Sequence, residues 1–487
     1  MSAQPTGYRG NDRLLIGMIL GVLAFWLFAQ TTLNIAPAMA ADLQIGTSVM
    51  NIAVSITALF SGIFIVVMGG LADRVGRVRI LMWGFIFSIV GSLLVGAAPR
   101  GALAVALLML GRVCQGLSGA FIMPASLALI KAYWEGAGRQ RAVSLWSIGS
   151  WGGSGFAAVF GGLMAQNVGW RWIFFAAAAV SLLGMAMVRG TPESKAATGK
   201  DYRFDTVGVL TFMVTMVALQ VLATQGSAFG WTSPITLGLA ATAIVIGALF
   251  LRAEHRAPNP FVNFALFRNT TYTGATLSNF LLNAVAGILL VSMTLVQLGG
   301  GLSAQRAGML TLGYGIAIVA FIRVGEKLLQ RFGARAPMIW GSLIVTLSIV
   351  GLMPTNLLIG QYTMLAVGAY TLFGLGLAFY ATPSTDAALS NLPDDQAGSG
   401  AGLYKMASSL GASFGVAISA AIFTALSGDG VRGRWFEGLI TFSGRQDNLA
   451  IRQAAMAALG FNLLLAVAAI VSIMVTVPKG RRRESPR

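Results

Sequence analysis

Two basic side chains, Arg112 and Lys405, fall inside long apolar runs, and they bound the chemistry this chain can perform. A charge in such a run is costly unless it faces a cavity or a partner. Arg112, at the middle of its run, is expected to face a cavity and hydrogen-bond to Gln115 or to backbone carbonyls. Lys405 lies one turn into its run, where its ammonium either snorkels to the nearer surface or faces a pocket. Trp26, Gln30 and Asn34 recur at i, i+4 and i+8, which places them on one helix face, and Asn279 and Asn283 repeat the i, i+4 spacing. Such amides either bind the polar atoms of a substrate or hydrogen-bond between helices. Trp146, Trp151, Tyr314, Tyr380 and Tyr404 would add aromatic walls, unless they pack or face lipid. None of the 16 acids lies at the middle of an apolar run. Asp73, Glu326 and Asp386 sit near one set of run ends, and Asp42 sits near the other. A pocket of amides, aromatics and a lysine with no carboxylate suits neutral, zwitterionic or anionic amphipathic compounds better than permanent cations.

The elements that position these residues follow from composition. The chain has 487 residues, 56% hydrophobic and 10% charged, with a mean hydropathy of +0.77. Soluble domains carry about 25% charged residues, so this chain has too few charges to clothe a water-facing surface. The net charge of +17 does not indicate nucleic-acid binding, because the basic residues form short strips between apolar runs rather than one basic face. Cys114 and His255 are single, so an intramolecular disulfide, metal chemistry and a Ser-His triad have nothing to build on. An enzyme is not expected. The polar N-terminus is followed by a run too long for a signal-peptide core.

Fourteen apolar segments emerge, near 14–37, 48–68, 80–98, 102–123, 142–164, 172–188, 206–224, 234–251, 270–296, 307–325, 338–357, 361–382, 398–425 and 454–477. With the N-terminus in the cytoplasm, only Arg100, Arg171, Arg306, Arg432, Arg434, Arg445 and Arg452 among the basic loop residues fall outside. That asymmetry obeys the positive-inside rule and places both termini in the cytoplasm. The expected layout is a six-span bundle (1–190), a linker (191–204), an inserted two-span hairpin (205–253), a second linker (254–269), a second six-span bundle (270–478) and a basic tail (479–487). The outer stretch 426–453 is either a connector or an amphipathic element with Trp435 and Phe436 at the interface.

Motifs then narrow the class. The loop after the second span reads Gly69-Gly-Leu-Ala-Asp73-Arg74-Val-Gly76-Arg77-Val-Arg79. Its acid and clustered arginines at a glycine turn can pair across two helix ends and latch one conformation. This loop resembles the cytoplasmic signature of the major facilitator superfamily. A degenerate echo, Glu326-Lys-Leu-Leu-Gln330-Arg331-Phe-Gly333-Ala-Arg335, follows the tenth span and argues for an internal repeat. Gln330 stands where the first copy has Asp73, so the second latch should be weaker or rely on Glu326. The fourth span carries Arg112-Val-Cys-Gln115-Gly116, similar to the family's buried-arginine motif. Gly149, Gly153, Gly161 and Gly162 resemble its glycine-rich antiporter motif, with Ala158 where a proline usually stands. Gly169-Trp170-Arg171-Trp172 looks like the fourteen-span drug:proton antiporter branch, and Gly402-Leu-Tyr404-Lys405-Met406 resembles the subgroup containing quinolone exporters. The acid that this branch carries in the first span is absent from Phe28–Asn34.

The resemblance implies an all-α polytopic membrane protein of the major facilitator fold, with two six-helix bundles plus a two-helix insert, multi-pass in the inner membrane. It implies a proton-coupled multidrug efflux transporter working by alternating access, with Asp73 and Arg112 as coupling residues. Asp386 joins them by position. No cofactor is expected beyond the proton gradient, and the partners are a small-molecule substrate, protons and the lipid bilayer, with no nucleic acid. One six-plus-six unit encloses one path, so a monomer is expected. The alternative is a uniporter or uptake symporter for a specific organic anion, consistent with Lys405, Arg112 and the missing acid.

Overall fold

Apolar runs of this length have no outside partner for their backbone polar groups in lipid, so they close their hydrogen bonds internally as helices. The computed structural model describes residues 8–196, 205–257, 260, 262, 264–427, 440–444 and 448–479, and its regular elements are helical. Among the described residues twelve helices are long and apolar enough to cross a membrane. The expected count of fourteen is therefore not reached. The fifth expected span is helical, running from Gly136–Ser147 through a π turn at Ile148–Gly152 into Gly153–Asn167, but glycine and serine dilute its apolar content and it is not among the twelve. The seventh appears as a shorter apolar helix, Thr206–Leu222. Trp435 and Phe436, and the basic tail beyond Lys479, lie outside the described residues.

Local chemistry sets the ends of the helices. Asn11 starts the first span by accepting the Leu14 N–H at 2.9 Å, and Asp205 starts the inserted hairpin by accepting the Gly208 N–H at 2.7 Å. Gly76 joins the second span, Thr47–Val75, to the third, Arg77–Gly96, at a φ of 131°, which a side chain would oppose. The first span, Asp12–Leu23 with a π turn at Ala24–Ala29, is followed by Thr32–Leu43, whose last turn with Asp42 lies beyond the apolar run.

Contacts group the chain into two compact units. The first comprises residues 1–273 and 385–406, so it takes in the inserted hairpin and the inner ends of the twelfth span, Ile359–Ser390, and the thirteenth, Ala397–Ser427. The second comprises 274–384 and 407–487. Small residues let the backbones close up in both. In the first unit Gly91 faces the carbonyl of Gly111 and the N–H of Gln115; in the second, Gly341 faces the carbonyl of Gly376 and the N–H of Tyr380. The two crossings share one spacing, and the position one residue after the facing glycine is Arg112 in the first and Leu377 in the second.

Candidate functional site

At the predicted cytoplasmic, or inner, end of the first unit, the glycine turn brings Asp73 and Arg77 together. The buried Asp73 carboxylate accepts from Arg77 Nε at 3.0 Å and Nη2 at 2.9 Å. It also accepts the N–H of Gly398 at 2.9 Å and of Ser399 at 3.0 Å, at the start of the thirteenth span. That helix start offers unpaired N–H groups and the positive end of a dipole, so a carboxylate suits it. Gly69 lies directly against Gly398, where any side chain would collide with the Gly398 carbonyl. Arg77 spans further, donating to the Asp394 carbonyl at 2.6 Å and to Ser194 Oγ at 3.1 Å. Arg74 is half-buried beside this cluster.

Sequence reasoning missed three parts of this clamp. The segment after the sixth span runs beneath the turn: Glu193 accepts the N–H groups of Val78 at 2.8 Å and Arg79 at 3.0 Å, capping the third span, and Ala196 donates to the Asp73 carbonyl. Lys131 pairs with Asp394 at 3.3 Å. Arg139 pairs with Asp386 at 2.9 Å and donates to Ser390 Oγ at 2.8 Å. Asp386, expected as a coupling residue by position, is thus held in a second ion-paired clasp. The available signal was the placement of Asp386 and Asp394 opposite basic loops.

The second loop does not repeat the clamp. Glu326 pairs with Arg323 one turn earlier and accepts from Gln330 at 3.2 Å, all within one helix, Leu312–Phe332. Arg331 is exposed and lies over the Phe332 ring. Without an acid at position 330 no carboxylate here reaches a helix start, and the one bond to another helix is from Arg335 to the Met474 carbonyl at 2.7 Å among the described residues.

Arg112 is wholly buried in the fourth span, Ala102–Tyr133. Its Nε donates to the Ala53 carbonyl at 2.9 Å. Its Nη1 donates to the Ala29 carbonyl at 2.8 Å, Thr32 Oγ1 at 3.0 Å and Gln115 Oε1 at 2.7 Å. The Ala29 carbonyl is available because the π turn ends there and the helical ladder is interrupted. Gln115 passes the network on to Ser92 Oγ at 3.3 Å.

The glycines of the fifth span turn toward the first. Gly149 faces Ile19, Gly153 faces Trp26 Cβ and the Leu27 backbone, and Gly161 faces the Thr31 side chain. Gly162, expected to share that packing, has open space around it, because it lies one residue off the stripe. The close approach brings together the stretches that carry Trp26 and Trp146, and Lys405 of the thirteenth span lies near both rings. Lys405 Nζ lies 5.1 Å from the Trp146 ring centroid and 5.9 Å from that of Trp26. Trp146 donates to Ser126 Oγ at 2.9 Å. Lys405 is 4% exposed, so it faces the interior and does not snorkel. Tyr404 is buried within 3.3 Å of Thr385 Oγ1; Gln30 and Trp151 are half-buried. The Asn34 side chain lies outside the described residues.

In the second unit the expected amides bond each other and a neighbouring helix. Asn283 Nδ2 donates to Asn279 Oδ1 at 2.9 Å, and Asn279 Nδ2 donates to Ser408 Oγ at 2.6 Å, tying the ninth span to the thirteenth. Tyr314 is buried against Phe373. Tyr380 shares its hydroxyl with Ser278 at 2.7 Å.

At the opposite end of the first unit, which the charge distribution predicts to be the outer one, the Gly-Trp-Arg-Trp motif closes a clasp on Asp42. The carboxylate receives Arg100 at 2.7 Å, Trp170 Nε1 at 3.0 Å and the Arg171 guanidinium, which also stacks over the Trp170 ring. The Arg100 and Arg171 guanidinium groups hold this carboxyl down to about 2.

Comparison with known proteins places these features in a family. Residues 14–416 match the Major Facilitator Superfamily. The chain is 44% identical over 472 residues to a quinolone resistance protein, NorB, of Staphylococcus aureus strain MRSA252, covering 97% of each chain. It is also 44% identical over 474 residues to the NorB of strain COL, again with 97% of each covered. Among solved structures, the proton:xylose symporter XylE bound to 6-bromo-6-deoxy-D-glucose superposes with a TM-score of 0.64 at 14% identity, over 96% of each chain. The human organic anion transporter MFSD10 does so with a TM-score of 0.58 at 14% identity, over 95% of this chain and 98% of that one. A helical membrane fold, a glycine-turn clamp at one end and a near-full-length match to transporters agree, and the chain belongs to the major facilitator superfamily.

Proposed function

We propose that this protein exports hydrophobic or amphipathic drug-like molecules, quinolones among them, from the cell by alternating access, in exchange for protons. It works as a monomer in the cell membrane with both termini in the cytoplasm, and it needs no bound cofactor. The 44% identity to quinolone resistance proteins over 97% of the chain carries this reading. The clamp of Asp73 on Gly398 and Ser399 supports it, because polar bonds at a helix start can break and reform as a transporter cycles. Arg112, whose network joins the first, second and fourth spans, and Asp73 are the candidates for coupling. Asp386, ion-paired with Arg139, serves as a second clasp.

A second reading, a uniporter or uptake carrier for an organic anion, is favoured by one observation: the buried ammonium of Lys405. Purified protein in liposomes, with a pH-sensitive dye inside and an imposed proton gradient, separates the two. Proton movement triggered by a quinolone, and lost in Arg112→Ala and Asp73→Asn, is expected for the exporter. Quinolone movement without proton flux overturns the antiport.

A further inference from the structure

Among the described residues, Lys405 is a cation without a counter-ion. It is 4% exposed, and among the described residues its Nζ meets no hydrogen-bond or ion-pair partner. The acids of the first unit that hold basic residues are committed elsewhere: Asp12 to Arg141, Asp42 to Arg100 and Arg171, Asp73 to Arg77, Asp386 to Arg139 and Asp394 to Lys131. What surrounds the ammonium instead is two indole rings, with centroids at 5.1 and 5.9 Å. Aromatic faces attract a cation but do not neutralise it. One of the two rings carries a second unmet donor. Trp26 Nε1 is buried with no acceptor, whereas the Trp146 N–H is taken up by Ser126.

An unpaired ammonium and an unpaired indole N–H, both removed from water, are two donors that lack an acceptor. Leaving either unmet is costly, and a ligand that satisfies both recovers that cost on binding. The complement is an anion with two acceptor oxygens and a flat apolar body to lie against the indoles. A permanent cation meets repulsion at the same place.

Resting on the exporter reading, we propose that Lys405, Trp26 and Trp146 form the recognition site for the carboxylate of an aromatic organic acid. Lys405 binds one carboxylate oxygen, Trp26 Nε1 donates to the other, and the rings of Trp26 and Trp146 flank the acid's aromatic body.

The test uses the full chain purified in detergent and two probes, nalidixic acid and its methyl ester, which differ in the anionic group alone. Binding is measured by calorimetry. The wild type is expected to prefer the acid about tenfold or more, since a buried charge-assisted contact decides between them. Lys405→Met is expected to lower acid affinity about tenfold or more and to abolish the preference for the acid, and an unfolding midpoint close to that of the wild type shows that the variant is folded. Lys405→Arg is expected to keep the preference. Equal binding of acid and ester by the wild type, or an undiminished preference in Lys405→Met, overturns the proposal. Transport in liposomes separates this failure from failure of the exporter reading. If the wild type moves the ester as readily as the acid, export stands and the carboxylate site falls. If it moves neither of them, nor a neutral amphipathic compound, both fall.

Discussion

Asp73 and Gly398 meet twice: the Asp73 carboxylate accepts the Gly398 N–H at 2.9 Å, and Gly69, one turn earlier, leaves room for the Gly398 carbonyl. The polar bond and the close packing therefore hold the same two helix ends, and they can be weakened separately.

Asp73→Asn keeps an acceptor but removes the charge that serves both Arg77 and the helix start. Hydrogen bonds to charged groups contribute about 1.5–3 kcal/mol, so the clamped population should fall relative to the open one by roughly tenfold or more. Spin labels at Val75 and Asp395, both exposed, should report a longer distance in the variant; an unchanged distribution counts against the clamp.

The pair of Arg139 and Asp386 is largely buried, with side-chain exposures of 18% and 6%. Removing one partner strands the other, whereas removing both does not. Arg139→Gln and Asp386→Asn should each lower thermal stability in detergent, and the double variant should lose less than the sum, with a coupling of about 0.5–3 kcal/mol. Strict additivity refutes the clasp.

Gly161 and Gly162 differ by one residue and should differ sharply in tolerance. A Cβ at Gly161 collides with the Thr31 side chain, whereas one at Gly162 meets nothing. Gly161→Val should cost about 1–3 kcal/mol through overpacking, and Gly162→Ala should stay within about 0.5 kcal/mol. Unfolding midpoints of the two proteins decide it.

The outer clasp predicts a pH dependence. The Asp42 carboxyl titrates at about 2 when folded, below the ordinary value near 3.8, because Arg100 and Arg171 favour its ionised form. The stabilisation is thus complete above the ordinary value and disappears as pH falls through about 2. Melting curves of wild type and Asp42→Asn should differ at pH 6 and converge as pH approaches 2; a gap of equal size at both ends would contradict the assignment.

What could be read from the sequence was what lies close in the chain. Asp73 and Arg77, four residues apart, and Arg112 and Gln115, three apart, were legible because helical spacing brings such residues together. The same spacing brings Asn279 and Asn283 together, where one amide bonds the other. Trp26, Trp146 and Lys405 come from three distant stretches, and only the approach of the glycine stripe to the first span unites two of them. Glu193 stayed hidden because a carboxylate that caps a helix from another segment has no local pattern. The π turn inside the fifth span has no signal in the sequence, because apolar content alone does not register one.

The π turns at Ala24–Ala29 and Ile148–Gly152 have a combined consequence. A π turn accommodates one extra residue, and each residue of an α-helix advances the azimuth by about 100°. A helix that lost its extra residue alone would swing everything beyond the bulge by that angle. Deleting one residue within Ile148–Gly152 should leave a sound helix yet turn Gly153 and Gly161 away from Trp26 and Thr31. The two bulges thus behave as matched phase shifts, and deleting a residue from either helix by itself should be more damaging than its effect on helix stability alone would suggest.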